Sequence, residues 1–139
     1  MKTYPAFVRD LSGDKLEALI EMMLLAASAD GEFDPDERVR FERNAEMLTA
    51  GAMTGQRLDA AMTRARQALE EEGREARLES VKERLPDVAT RKLALSLAIE
   101  MTAADGVVRT SERELIMETA LALGIDGDTA ANMVRDLTR

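Results

Sequence analysis

The sequence predicts an all-α fold, and three features carry the prediction. Ala and Leu are abundant, β-branched residues are few and there are only 3 prolines, a balance that favours helices over strands. Aromatics make up 3%, so the interior has to be built from Leu, Met, Ile, Val and Ala. Apolar residues also recur at helical spacing in one segment after another. With 139 residues the chain can bury a sizeable core, and it reads as a single domain over residues 1–139.

The elements follow in order. Leu16, Leu19, Ile20, Met23, Leu24 and Ala27 form one stripe, which predicts a first helix over about 14–29. Gly31 suits the left-handed residue that ends such a helix. Asp34-Pro35-Asp36-Glu37 then combines an acidic N-cap, Pro at the first helical position and Glu three residues after the cap. The second helix turns Phe41, Ala45 and Leu48 inward and stops near Gly51. Thr54 caps a third helix, with Leu58, Ala61, Met62, Ala65 and Leu69 on its stripe. After Gly73, a short fourth helix carries Leu78, Val81 and Leu85 and ends before Pro86. The fifth, about 87–103, is apolar on most sides, the mark of a central helix. A sixth carries Leu115, Ile116, Thr119, Ala120 and Leu123 up to Gly124, and a seventh starts near Asp128 with Met133, Val134 and Leu137.

An ungapped shift of 75 residues lays the chain on itself. Ala29-Asp30-Gly31 falls on Ala104-Asp105-Gly106, and Glu37-Arg38 on Glu112-Arg113. Phe41, Ala45 and Leu48 meet Ile116, Ala120 and Leu123; Thr54, Leu58 and Met62 meet Thr129, Met133 and Leu137. The expected architecture is two three-helix repeats, about 14–66 and 89–139, related by an approximate two-fold and joined by the short fourth helix.

Charge and composition exclude several functions. The net charge of -8 repels phosphate backbones and anionic lipid, and suits cations or a basic patch on a partner. The chain has neither Cys nor His, which removes thiol nucleophiles, Cys/His zinc sites and imidazole bases. A carboxylate pair for sugar hydrolysis would lack aromatic platforms, with no Trp and 1 Tyr, so no enzymatic activity is expected. MKTYPAFVRDLSG holds no signal-peptide stretch and no segment approaches a transmembrane span, so a cytoplasmic location is expected.

The alternating acids of DGEFDPD raise the question of a calcium loop. Counted from Asp30, the EF-hand positions fail: the residue due to be Gly is Pro35, and the bidentate Glu is replaced by Phe41. Both copies keep Asp-Gly, an apolar residue (Phe33 or Val108) and a Glu seven residues after the Asp. Glu37 and Glu112 suit the first turn of a helix, where the dipole favours an acid by about 0.3–1 kcal/mol. Asp30 and Asp105 stand at a helix carboxyl end, where the dipole disfavours them. Each then either accepts hydrogen bonds from the next helix's free N–H groups or binds a cation. Only a hard cation, Ca²⁺ or Mg²⁺, would suit the oxygen ligands present, namely Asp30, Asp34, Glu37, Asp105 and Glu112.

At ADGEFDPDER and AADGVVRTSERE the chain resembles the TerB family of tellurite-resistance domains, over about 14–137. The resemblance implies a compact bundle of about seven helices with an acidic face, for which divalent-cation binding is proposed, and on which Asp30, Glu37, Asp105 and Glu112 fall. It implies a binding or adaptor role in bacterial stress response, with a TerC-type membrane protein as partner and peripheral placement at the inner membrane through it. An ion-free interaction module, like the extra domain of J-domain co-chaperones, is the alternative. Arg109 replaces Asp34 in the second copy, so Thr110 or Ser111 is expected to cap there, with Ser111 and Glu114 as a capping box.

Two further stretches have plain readings. Glu70-Glu71-Glu72 with Arg74, Glu75 and Arg77 reads as a solvated helix surface with i,i+4 pairs. Met22, Met23, Met62, Met101 and Met133 read as core filler, and Tyr4-Pro5-Ala6-Phe7 as an arm that packs on the body or on another subunit.

Overall fold

A computed structural model describes residues 6–27, 34–102 and 109–137. Those residues form a 3₁₀ turn, Ala6–Asp10, and seven α-helices: α1 Gly13–Ala27, α2 Pro35–Thr49, α3 Gly55–Glu72, α4 Arg74–Arg84, α5 Val88–Thr102, α6 Thr110–Ala122 and α7 Gly127–Leu137. Among the described residues there is no strand, and no helix is long and apolar enough to cross a membrane.

Two helices make the centre. α5 packs on α1, α6, α7 and α2, as its apolar surround requires. α1 is central as well: every residue from Ala18 to Leu25 is at most 3% exposed, which exceeds the single stripe read from the sequence. The reason is that α3 and α4 close over its second side. The core draws on all seven helices, with Phe41, Ala45 and Leu48 of α2 as fully buried as Ile116, Ala120 of α6 and the adjoining Leu123. Met22, Met23, Met62 and Met101 are buried, and Met133 packs against the core. Val8 and Phe7 pack there too, so the arm lies on the body at Phe7, while Tyr4 and Pro5 lie outside the described residues.

The helix boundaries show how far the 75-residue offset extends. Gly13 and Ala27 of α1 stand 75 residues before Val88 and Thr102 of α5, and Pro35 stands 75 before Thr110. The third helices depart from it. Thr54 is the N-cap of α3, but α7 starts at Gly127 with Thr129 already inside its first turn. The cause is Asp126, whose carboxylate accepts from the Thr129 amide at 2.8 Å and from its hydroxyl at 3.0 Å. At the far end, Leu137 is 42% exposed where its counterpart Met62 is buried. α2 ends at Ala50, which takes the left-handed conformation itself (φ 52°), with Gly51 following at φ 83°.

Candidate functional site

Asp34 and Glu37 meet at the start of α2. Asp34 is the N-cap, its backbone extended, and its Oδ1 accepts from the Glu37 amide at 2.8 Å. Glu37 reaches back, its Oε1 accepting from the Asp34 amide at 3.0 Å. Two of the four helix-start amides are thereby satisfied reciprocally, with Pro35 at the first position where no donor is needed. Each carboxylate has one oxygen committed to its own backbone.

The second copy makes half of this device. Arg109 is the N-cap of α6, and Glu112 Oε1 accepts from its amide at 2.9 Å. An arginine side chain has no acceptor, so the other half is missing. Its guanidinium lies beside Glu112 instead, Nη1 to Oε1 at 3.5 Å. The cap expected at Thr110 or Ser111 with Glu114 does not form, because the helix already begins at Thr110 and Ser111 lies within its first turn. The other members of the predicted set, Asp30 and Asp105, lie outside the described residues, as do Gly31, Phe33, Gly106 and Val108. Among the described residues no three acidic side chains are gathered as a metal group.

The helix ends that lead into the two Asp-Gly corners are described, and each carries an arginine from elsewhere in the chain. Arg74, the first residue of α4, donates through Nη1 to the Leu25 carbonyl near the end of α1. Arg40 of α2 donates through Nη1 to the Met101 carbonyl near the end of α5, at 3.4 Å. Terminal carbonyls lack helical partners and sit at the negative end of the dipole, so a guanidinium satisfies both needs. Burial lowers the pKa of Arg74, opposed by the charge of Glu118. Arginine keeps its proton even so.

A second charged cluster was missed by sequence reasoning. Glu21 of α1 is 3% exposed, and its carboxylate takes Arg77 in a two-pronged pair, Nε to Oε2 at 2.7 Å and Nη2 to Oε1 at 2.8 Å. Arg84 donates to the same Oε1, and Glu72 accepts from Arg77 Nη1 at 3.2 Å. The hydrogen bonds to Glu21 push the pKa of Arg77 upward. Arg74 and Arg77 therefore turn inward, whereas the i,i+4 pattern placed them on a solvated surface. The available signal was Glu21 itself, the one charge inside the apolar run from Ala18 to Ala27.

Among the described residues the chain forms seven α-helices and no strand, with Glu37 and Glu112 reaching back over the starts of α2 and α6. The family model described as "Tellurite resistance protein TerB" matches residues 16–135, and the chain belongs to the TerB family. Neither the curated proteins nor the solved structures compared with the chain gave a match.

Proposed function

We propose that this TerB-family chain is a non-enzymatic protein-binding module whose corners are braced by its own side chains and hold no resident ion. The observation that carries this is the pair of arginines at the helix ends. The sequence leaves bracing by hydrogen bonds and a bound cation as the two alternatives for Asp30 and Asp105, because a helix carboxyl end disfavours an acid. Arg74 and Arg40 supply positive charge at those two ends. Asp34, Glu37 and Glu112 each accept from helix-start amides, which accounts for their positions without Ca²⁺ or Mg²⁺.

The partner we expect is a protein with a basic docking segment, because the chain carries a net charge of -8 and electrostatic complementarity governs encounter. A TerC-type membrane protein is the first candidate, and a stress response at the inner membrane the setting. The test is retention of a co-expressed TerC-type protein from a detergent extract, with and without chelator. Retention in chelator, lost on raising salt, is the expected result. Retention that requires added divalent cation would overturn the ion-free reading.

A further inference from the structure

We propose that the corner where α6 turns into α7 binds a phosphate group, held by Lys82 of α4 and Arg91 of α5 over Gly124. The point that a β-carbon on Gly124 would occupy lies 3.9 Å from Lys82 Nζ and 3.7 Å from Arg91 Nη1. Two cations from different helices thus stand over one exposed glycine, close enough for a single oxyanion to accept from both at about 2.9 Å. Gly124 takes a left-handed φ of 75° and has no side chain to fill the space between them.

Neither cation has a carboxylate partner among the described residues, in a chain whose net charge is -8. The acid closest in sequence, Asp126, is engaged elsewhere: it accepts from Thr129 and lies in the field of Lys92. The end of α6 does not consume the two cations either. Leu123, Gly124 and Ile125 donate their amides to the carbonyls of Thr119, Leu121 and Ala120. The dipole of a helix end offsets about half a charge and is screened at an exposed corner, so the pair keeps a positive surplus.

The donors decide which anion fits. Arg91 Nε donates to the Leu85 carbonyl at 2.6 Å, and Nη2 to the Lys82 carbonyl at 3.3 Å. Those bonds fix the guanidinium and leave only Nη1, so Arg91 has no two-pronged fork to offer a carboxylate. One Nη1 and one ammonium remain, separate point donors that suit different oxygens of a tetrahedral phosphate. The acidic surface elsewhere repels an extended phosphate backbone, so the site takes a single small group.

The site is independent of the partner reading above, and its test uses no partner. The full chain, nitrogen-15 labelled and in phosphate-free buffer, is titrated with sodium phosphate, methyl phosphate and sodium acetate at matched ionic strength. Phosphate should give saturable millimolar binding with shifts centred on the amides of Lys82, Arg91 and Gly124, and acetate should bind more weakly. Lys82→Gln should weaken binding by about tenfold, the scale of one charge-assisted hydrogen bond, while Arg43→Gln on α2 leaves it unchanged. The Lys82 side chain makes no hydrogen bond among the described residues, so that variant keeps the fold. Arg91→Gln should weaken binding as much, with its fold checked by thermal melting because Arg91 also holds two carbonyls. Methyl phosphate binding as tightly as phosphate would assign the site to a phosphate group on a larger molecule, and no binding of it would assign the site to free phosphate. Unsaturable shifts, or unchanged affinity in Lys82→Gln, would overturn the site. Acetate binding as tightly as phosphate would overturn the assignment of the anion.

Discussion

Replacing Glu21 by Leu tests how the buried cluster is held. The single change removes the carboxylate from two guanidinium groups whose side chains are 14% and 29% exposed. Arg77 keeps Glu72, but its Nε and Nη2 lose their acceptor inside the protein, and Arg84 loses the one carboxylate it pairs with among the described residues. Stranding a buried ion-pair partner costs about 3–5 kcal/mol, a large share of the roughly 5–15 kcal/mol that stabilises a domain. At about 2–4 °C per kcal/mol for a chain near this size, Tm should fall by about 10 °C. The triple variant Glu21→Leu, Arg77→Met, Arg84→Met should recover most of that loss, because apolar replacement of a whole buried charge cluster is close to neutral. Thermal melts followed by far-UV circular dichroism read both. A single variant within about 2 °C of the parent, or a triple variant no better than the single, would show that Glu21 is not needed to neutralise Arg77 and Arg84.

Other perturbations should divide by exposure and by cap. Glu17→Gln breaks only a pair with Arg64, which is 61% exposed, so stability should change by less than about 1 kcal/mol in denaturant melts. Ala50→Gly should raise stability by about 1 kcal/mol, since φ 52° costs an alanine what glycine does not feel; an unchanged or lower urea midpoint would count against it. Hydrogen bonds from the Thr129 amide and hydroxyl hold the Asp126 carboxyl below its ordinary value of 3.8. Its contribution is therefore complete above pH 3.8 and lost as pH falls through the lower folded value. The stability gap between the parent and Asp126→Ala should be present at neutral pH and shrink below that point, and a gap that grows on acidification would contradict the cap.

The fold was legible in the sequence because its local signals agree. Period, caps and the Gly73 break placed the seven helices, and Asp34-Pro35-Asp36-Glu37 announced the capping box that opens α2. What stayed hidden depends on contacts between distant segments. Glu21 stands only as a charge inside an apolar run until α4 brings Arg77 and Arg84, 56 and 63 residues away, onto it. Arg74 reads as one charge in a charged run, yet it reaches Leu25, 49 residues back. Arg109 misled the sequence reading for a local reason. Lacking an acceptor, it looked unfit to cap, but Glu112 alone satisfies its amide and the helix starts there regardless.

The proposed function requires that the two Asp-Gly corners take no ion. Its most direct test is calorimetric titration of chelator-treated protein with Ca²⁺ and with Mg²⁺, repeated on Asp30→Asn and Asp105→Asn. Flat titrations throughout are the predicted result, with both variants folded and at most less stable. Saturable binding at sub-millimolar concentration, lost in a variant that still melts cooperatively, would contradict the claim and restore the cation to the corners.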